Sequence, residues 1–539
     1  MHLNPTDSLP DRKLRSRVAE LLVVRASGHL EDQQRRYPRW ELSNVALEQL
    51  LGRGVGGVIL LGGSATELQQ RTAQLQRWAQ HPLLLCADVE EGVGQRFEGA
   101  SWLVPPLALG RLYDQKPDQA VALAERYGRC TAEQARRCGL NWVLAPVCDV
   151  NNNPANPVIN VRAWGEDPTT AGTLAAAFQR GLSSAGVLGC AKHFPGHGDT
   201  TSDSHLDLPV LPHTRQRLEQ IELPPFRAAI AAGVDSVMTA HLLLPELDRN
   251  QPATLSKTVL TALLRQELGF QGLIVTDALV MEAIAARHGA GEAAVLAFEA
   301  GADLILMPAD AEAAIAALCE AFEAKRLPLE RLDRALQRRR AALQRVIHQA
   351  KPETTISMNV DRQLEAELVQ ASLTTRSTAG IGAATGINLI RVDGVFPCPA
   401  LQGTAPARQL PEQWGYRSVV IHGHGVSPWQ DDPEAPLALD RLGEGPVVLQ
   451  LFLRGNPFRG GKDSQEPWKA AVQQLQRVGR LAGLVIYGSP YLWEELEPVL
   501  EPHLPAAFSP GQMQEAQRQV LEALLEKSGS SIAPGDFTD

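Results

Sequence analysis

Residues 192–205 carry an unusual density of side chains that could take part in chemistry. The stretch is Lys-His-Phe-Pro-Gly-His-Gly-Asp-Thr-Thr-Ser-Asp-Ser-His, so three histidines, two aspartates and one lysine lie within fourteen residues. It follows an apolar run, and its proline and glycines exclude a helix through its first half. Ionisable groups are costly to bury and cluster where they have a task. The stretch predicts a functional loop after a buried strand, with a solvated polar loop as the simpler alternative.

Asp203 and His205 form the most informative pair within this stretch. Residues two apart in an extended segment point the same way, so the Asp203 carboxylate can accept a hydrogen bond from one ring nitrogen of His205. That bond fixes the tautomer and raises the basicity of the imidazole, which suits general acid/base catalysis near pH 7. A metal site is the competing interpretation, although the spacing matches no common metal motif. Its ligands would be His193, His197, Asp199, Asp203 and His205.

A second candidate for chemistry is Asp277, which directly follows the apolar run of residues 273–276. An acid at the end of a buried strand needs either a partner or a task. It could instead cap a helix predicted over Leu279 to Ala286, because aspartate is a good N-cap residue. Its position alone leaves both interpretations open.

Eight apolar runs separated by helical patterning must position these groups. They are continuous rather than alternating, which is typical of parallel strands covered on both faces. Eight strand–helix units predict an α/β fold with an N-terminal (β/α)8 TIM-like barrel. An open doubly wound sheet would need a glycine-rich phosphate turn after the first strand, and the sequence there lacks one. The runs are Leu21 to Val24, Val55 to Leu61, Leu83 to Ala87, Trp142 to Val147, Val187 to Ala191, Val234 to Thr239, Leu273 to Thr276 and Leu304 to Met307.

In such a barrel the catalytic groups lie at the carboxyl ends of the strands. The sequence places a set of charged and polar side chains there. They are Asp88, Glu90, Glu91 and Arg96 after the third strand, Asp149 and Arg162 after the fourth, residues 192–205 after the fifth, His241 after the sixth and Asp277 after the seventh.

The remainder of the chain predicts a second domain. A basic amphipathic helix over Pro328 to His348 closes the barrel domain of residues 1–350, and residues 351–361 have the composition of a linker. Residues 362–539 alternate short apolar strands with helices, which predicts a C-terminal α/β domain, a three-layer αβα sandwich. Its strands are predicted at Asn388 to Val392, Ser418 to Ile421, Val447 to Phe452 and Leu484 to Tyr487.

Composition narrows the class of protein. The 539 residues are 44% hydrophobic and 21% charged, with a formal net charge of −10 and no basic block, so nucleic acid is not an expected partner. No apolar run approaches the roughly 20 residues of a membrane helix. The N-terminus lacks the pattern of a secretory signal, and the seven scattered cysteines lack zinc-ligand spacing. These features predict a cytoplasmic protein with reduced cysteines.

Residues 192–205 resemble the K-H-F-P-G-H-G-D-T-x-x-D-S-H signature of glycoside hydrolase family 3, in its bacterial β-N-acetylglucosaminidase (β-hexosaminidase) branch. Further segments agree in the same order along most of residues 15–310, whereas the second domain resembles the family only in layout. These segments are residues 145–151 (Ala-Pro-Val-Cys-Asp-Val-Asn), 156–159, 162–168 (Arg-Ala-Trp-Gly-Glu-Asp-Pro), 238–241, 252–256 and 268–272.

The resemblance implies a retaining glycosidase that removes non-reducing terminal β-linked N-acetylglucosamine and requires no metal or organic cofactor. In it, Asp277 is the nucleophile, and His205 is the general acid/base with Asp203 as its orienting partner. In a cytoplasmic bacterial setting, the substrates would be muropeptide fragments from cell-wall turnover. The sugar-binding positions that the resemblance implies are Asp88, Arg96, Arg162, Lys192 and His193.

Two departures from the family pattern bear on substrate preference. Val93 replaces the first arginine of the segment after the third strand, and Ala278 replaces the second acid after the nucleophile. Neither departure touches a residue assigned to bond-breaking. Other functions also stay open. Two of these functions are a family 3 β-glucosidase and an N-acetylglucosaminide phosphorylase. The phosphorylase stays open because a neutral histidine repels phosphate less than a carboxylate would. A non-catalytic sugar-binding protein and a metal-dependent hydrolase are the others.

Overall fold

The computed structural model describes residues 9–200, 208–349, 361–376, 380–392, 398–423, 425–454 and 466–525. Asp203 and His205 lie outside these residues, as does the predicted linker apart from Asp361. The chain divides into two compact units, residues 1–364 and residues 365–539.

All eight strands predicted for the first unit are present, each within a few residues of its predicted position. They are β1 (Leu22–Ser27), β2 (Gly57–Leu61), β3 (Leu84–Ala87), β4 (Trp142–Val143), β5 (Cys190–Phe194), β6 (Ser236–Thr239), β7 (Leu273–Val275) and β8 (Ile305–Leu306). These strands form two parallel sheets. One has the strand order β4-β3-β2-β1-β8, and the other has the order β5-β6-β7. Isolated parallel bridges, Trp142 with Leu188 and Val275 with Leu304, join their edges. The strands therefore make a curled parallel sheet.

Helices precede, separate and follow these strands. They are α1 (Leu9–Ala19), α2 (Asn44–Gly52), α3 (Ala65–Trp78), α4 (Leu107–Tyr113), α5 (Pro117–Arg137), α6 (Pro168–Ser184), α7 (Arg215–Gln220), α8 (Leu223–Ala231), α9 (Glu282–His288), α10 (Ala290–Ala300), α11 (Ala311–Glu323) and α12 (Leu329–Gln349), with a π-helix at Thr258–Glu267. Short 3₁₀ turns occur at Asp32–Gln34, Val93–Gln95, Asn160–Arg162 and Ala253–Leu255. The start of α6 shows why helices begin where they do: Asp167 accepts from the backbone N–H groups of Thr169 and Thr170, and Pro168 occupies the first turn.

The inside of the curled sheet is a packed core rather than a channel. One cluster of buried side chains receives residues from all eight strands, among them Val23, Ile59, Trp142 and Leu306. Trp142 also donates from its indole nitrogen to the hydroxyl of Ser236 across the core, at 2.9 Å. Because the interior is filled, a ligand must bind at one end of the strands.

The second unit is a mixed six-stranded sheet with the order β11-β10-β12-β13-β14-β9, in which the edge strand β9 is antiparallel. Its strands are β9 (Thr374–Arg376), β10 (Gly386–Val392), β11 (Tyr416–Ile421), β12 (Val447–Leu453), β13 (Leu481–Gly488) and β14 (Ala506–Ser509). Its helices are α13 (Arg362–Ser372), α14 (Pro406–Gln413), α15 (Leu439–Leu442), α16 (Trp468–Arg477), α17 (Pro490–Leu496) and α18 (Gln514–Leu525), with a 3₁₀ turn at Glu497–Val499. Among the described residues of both units, no helix is long and apolar enough to cross a membrane.

Candidate active site

Lys192 on β5 is the centre of a buried group of charges. Its side chain is 1% exposed, and its Nζ lies 2.7 Å from Oδ1 of Asp88 and 2.6 Å from Oε1 of Glu90. Burial opposes protonation of this amine, but the two carboxylates outweigh the cost of burial and raise the pKa of Lys192. The lysine is therefore a fixed cation at the carboxyl end of the sheet.

Glu90 links Lys192 to Arg162. Its two carboxylate oxygens accept from Nε and Nη2 of Arg162, both at 2.8 Å, which is a bidentate pair. Burial opposes ionisation of Glu90, but the charges of Arg162 and Lys192 prevail and hold its pKa well below the usual range. Asp88 is the member of this group with a solvent-facing carboxylate, since its side chain is 38% exposed. A ligand hydroxyl can therefore reach Asp88, while Glu90 holds the two cations in place.

Arg96 lies at the rim of this group. The exposed arginine donates from Nε to the backbone carbonyl of Asp88, at 3.0 Å. The structure thus brings four predicted sugar-binding residues, Asp88, Arg96, Arg162 and Lys192, to the same strand ends.

Asp149 anchors the fifth predicted residue, His193. Asp149 is fully buried and accepts from Nδ1 of His193 at 2.8 Å and from the backbone N–H of His197 at 2.7 Å. Burial opposes its ionisation, but the contacts with His193 and His197 prevail and lower the pKa of Asp149. With Nδ1 held by the carboxylate, Nε2 of His193 is the ring nitrogen that can face a ligand.

His197 shapes the loop that follows β5. Burial lowers the pKa of His197 to about 4, so its imidazole is neutral at pH 7. Its backbone carbonyl and that of Gly198 accept from the Asn156 side chain, at 2.9 and 2.8 Å. A side chain at Gly198 would collide with the carbonyl of Val150, so the loop packs tightly on the segment after β4.

Asp277 is half-buried at the end of β7. Its Oδ1 accepts from the backbone N–H of Ala278 at 2.7 Å, and its own N–H donates to the hydroxyl of Thr239 at 3.3 Å. The alternative interpretation as a helix cap is wrong, because α9 begins only at Glu282 and Met281 is its N-cap residue. Thr239, to which Asp277 donates, pairs with Phe194 of β5, so Asp277 lies at the same edge of the sheet as the loop after β5.

The buried His241 holds the backbone next to Asp277. Its Nε2 lies 3.1 Å from the carbonyl oxygen of Ala278, and its Nδ1 lies 2.8 Å from the hydroxyl of Thr254. Thr254 also contacts the hydroxyl of Thr239, at 2.8 Å. The position of the Asp277 carboxylate is therefore set by a connected polar network at the ends of β6 and β7.

Glu90 and Asp149 lie at strand ends, as the sequence predicts, and the structure gives both of them a role in the site. Each is an acidic residue close to the end of a buried strand, and an acid in that position needs a charged or hydrogen-bonding partner. No three metal-ligating side chains converge in the portion of the chain that the structure describes. The solvent-facing Asp88, the cation Lys192 and Nε2 of His193 can bind a polyhydroxylated ligand. The Asp277 carboxylate can attack an electrophilic carbon.

Comparison with known proteins agrees with this chemistry. Residues 13–341 match the glycosyl hydrolase family 3 N-terminal domain, and residues 382–526 match the bacterial glycosyl hydrolase family 3 C-terminal domain. A β-hexosaminidase A of Pseudoalteromonas piscicida is 35% identical over 62% of this chain and 62% of its own length. A β-hexosaminidase of Stenotrophomonas maltophilia (strain K279a) is 39% identical over 50% of this chain and 80% of its own. The solved structure of a family 3 β-N-acetylglucosaminidase from Paenibacillus sp. str. FPU-7 is 29% identical, with a TM-score of 0.75 over 95% of this chain and 97% of that one.

Proposed function

Because this chain belongs to glycosyl hydrolase family 3, we propose that it is a retaining β-N-acetylhexosaminidase acting on non-reducing terminal N-acetylglucosamine. The observation that supports this proposal is the position of Asp277, whose partner Thr239 pairs with β5, at the same strand ends as the group formed by Asp88, Lys192 and Glu90. The sugar specificity is supported by the similar proteins, which are named β-hexosaminidase and β-N-acetylglucosaminidase.

In the proposed mechanism the Asp277 carboxylate attacks the anomeric carbon, and the bond to the leaving oxygen breaks. His205, oriented by Asp203, protonates that oxygen. Water then attacks the glycosyl-enzyme while His205 takes its proton, so two inversions give net retention. The roles of His205 and Asp203 are supported by their spacing and by the family signature, and the nucleophile role is supported by the fixed position of Asp277.

The buried charges indicate how the sugar is held. We assign the solvent-facing Asp88 to accept from sugar hydroxyls, and Lys192 and Nε2 of His193 to contact oxygens of the same ring. Arg162 has Nε and Nη2 on Glu90 and Nη1 on the carbonyl of Val158, so its main part is to fix the charges beneath the sugar. Arg96 lies at the rim, where it can contact the substrate from the solvent side.

The proposed architecture is a (β/α)8 barrel followed by a three-layer αβα sandwich. The barrel is supported by the chain-order pairing of β1 to β4 and of β5 to β7, by the pairing of β8 with β1, and by the bridges that join the two sheets. The sandwich is supported by the contacts of α14 with β10 and of α16 with β13.

A cytoplasmic location and muropeptide substrates complete the proposal. The seven cysteines are free thiols, and burial raises the pKa of the Cys190 thiol to about 12, so it stays protonated and unreactive. Reduced, inert cysteines are typical of proteins in a reducing compartment. Cell-wall fragments that carry terminal N-acetylglucosamine would be the substrates available there.

Replacing His205 with alanine tests the acid/base assignment. Hydrolysis of N-acetylglucosaminides with poor leaving groups should fall by roughly 10²–10⁴-fold, because the leaving oxygen is no longer protonated. Dinitrophenyl N-acetylglucosaminide, whose leaving group needs little protonation, should form the glycosyl-enzyme at close to the normal rate in a pre-steady-state burst.

Equal losses on good and poor leaving groups would contradict the acid role of His205. The same assays, run with and without inorganic phosphate, separate hydrolysis from phosphorolysis. Release of a sugar 1-phosphate in place of free N-acetylglucosamine would identify a phosphorylase.

A further inference from the structure

Four ionisable side chains lie together beside the loop that follows β5, and the proposed mechanism uses none of them. This Asp199 cluster consists of Asp199 in that loop, His213 just before α7, Arg217 on α7 and Glu222 at the start of α8. In the chain, Asp199 precedes the pair of Asp203 and His205, and His213 follows it. The cluster therefore joins the two sides of the segment that carries the proposed acid/base.

Arg217 is the cation of this cluster. Its Nη2 donates to Oδ2 of Asp199 and its Nε donates to Oε1 of Glu222, both at 3.2 Å. Nε2 of His213 lies 3.1 Å from the same oxygen of Asp199. Burial and the charge of Arg217 lower the pKa of His213, so its imidazole is neutral at pH 7. Arg217 is therefore the charge that holds the two acids together.

Glu222 lies at the base of the loop that follows β5. The residue is 3% exposed, and a side chain at Gly196 of this loop would collide with it. Burial raises the pKa of Glu222, the charge of Asp199 adds to this effect, and the charge of Arg217 opposes it. Without Arg217, the two carboxylates would lose the cation that they share, and their repulsion would push the loop away from α8.

The first flank of the acid/base segment, residues 197–200, is held on the segment after β4. Nδ2 of the buried Asn156 donates to the backbone carbonyls of His197 and Gly198, at 2.9 and 2.8 Å. The same nitrogen lies 3.3 Å from the hydroxyl of Thr200. This flank is therefore fixed to the carboxyl ends of β4 and β5.

The second flank, residues 208–213, is held on the segment after β6. The backbone N–H of Leu211 donates to the carbonyl of Leu243, and the N–H of Leu243 donates to the carbonyl of Pro209, both at 2.9 Å. The two flanks thus rest on different strand ends, and the Asp199 cluster links them directly.

We propose that Arg217 is a positioning residue for His205. By joining the two flanks through Asp199, it sets both ends of residues 201–207, which include Asp203 and His205. Fixing both ends of a segment lowers the entropy that is lost when its residues take up one working geometry. A misplacement of about 1 Å at a reacting group can cost about 10²-fold in rate. The inference rests on the proposed function, in which His205 is the general acid.

Two substrates that differ in leaving group test this role through kcat/KM, which reports formation of the glycosyl-enzyme. Arg217→Ala should lower kcat/KM for methyl β-N-acetylglucosaminide by roughly 10–100-fold, because its poor leaving group needs the proton from His205. For dinitrophenyl N-acetylglucosaminide, kcat/KM should stay within about threefold of wild type. Arg217→Lys keeps the charge and should recover part of the activity on the methyl glycoside.

Asp199→Asn removes the charge that Arg217 holds and should give the same dependence on the leaving group. Because it keeps the size of the side chain, this variant carries the test if Arg217→Ala does not fold. Thermal unfolding of every variant checks folding.

His205→Ala supplies a background in which a positioning role predicts no further loss. There, adding Arg217→Ala should change kcat/KM for the methyl glycoside by less than about twofold, because the residue that Arg217 positions is absent. Losses that multiply would show that Arg217 acts on another part of the site, and would overturn its assignment to His205.

Arg215→Ala is the matched control. Arg215 lies on the same helix, α7, but it pairs with Glu219 and Glu267 rather than with the Asp199 cluster. This variant should keep the wild-type kcat/KM on both substrates.

Equal losses on both substrates in a folded Arg217→Ala protein, or no loss on the methyl glycoside, would overturn the positioning role while the proposed function stands. If His205→Ala itself lost equally on both substrates, the acid role of His205 in the proposed function would fail, and the positioning role with it.

Discussion

Replacing Asp277 with alanine should lower kcat for nitrophenyl N-acetylglucosaminide by about 10⁴-fold or more, because removing a catalytic nucleophile leaves only binding and orientation. The loss of kcat should come from a slower chemical step and not from unfolding of the variant. The carboxylate accepts a hydrogen bond from the backbone N–H of Ala278, and the loss of such a bond should lower the free energy of unfolding by about 1 kcal/mol. Steady-state kinetics and urea unfolding measure the two quantities separately.

Asp167→Ala is the matched control for Asp277→Ala. Asp167 is an exposed cap of α6, so its loss should cost about 1 kcal/mol of stability with little effect on turnover. Azide added to Asp277→Ala should restore release of the aryl group, because the anion can attack the anomeric carbon from the vacated face. If a correctly folded Asp277→Ala protein kept more than a tenth of wild-type turnover, Asp277 would not be the nucleophile.

Replacing Glu90 with alanine should destabilise the first unit by about 3–5 kcal/mol, because it leaves Lys192 and Arg162 buried without their shared counterion. The pKa of Glu90 is depressed in the folded protein. Its stabilising contribution is therefore fully present above its unfolded pKa of about 4.3 and is lost as the pH falls toward the folded value. Urea unfolding at pH 7 and pH 4 should therefore show a smaller deficit of the variant at pH 4, because pH 4 lies below the unfolded pKa.

Glu219→Ala provides the comparison for Glu90→Ala. Glu219 pairs with Arg215 and Arg227 on the surface, where such pairs contribute about 1 kcal/mol or less. Activity gives a second readout, since the Glu90 variant should also lose kcat/KM as Lys192 moves from Asp88. A Glu90→Ala protein as stable as Glu219→Ala would show that the buried charges are not coupled as the distances indicate.

The strands of the first unit could be predicted because strands that are buried on both faces have continuous apolar sequences. The antiparallel edge strand β9 and the short strand β14 were missed. β9 is largely exposed, and its Thr-Thr-Arg sequence is not apolar. β14 is buried, but its Ala-Ala-Phe-Ser sequence contains no β-branched residue. The helix predicted after Asp277 begins later than expected, because residues 278–281 pair with the β8 end through the bonds of Leu279 and Val280.

The candidate site was predictable by residue type and strand position but not by pairing. Asp88 and Lys192 were both expected at strand ends. They are 104 positions apart in the sequence, and that separation does not predict their 2.7 Å contact. Which acid serves as counterion to which base depends on strand register and side-chain direction, which composition and spacing do not encode. For this reason Glu90 and Asp149, which hold Lys192 and His193 in place, were recognised only from the structure.

The most direct test of the central claim, covalent catalysis by Asp277 with retention, is the anomer released first by the wild-type protein. Hydrolysis of nitrophenyl β-N-acetylglucosaminide can be followed by proton NMR before the product mutarotates. The proposed mechanism requires the β-anomer of N-acetylglucosamine to appear first, followed by slow growth of the α-anomer. An α-anomer formed first would mean a single displacement by water and would contradict the assignment of Asp277 as nucleophile.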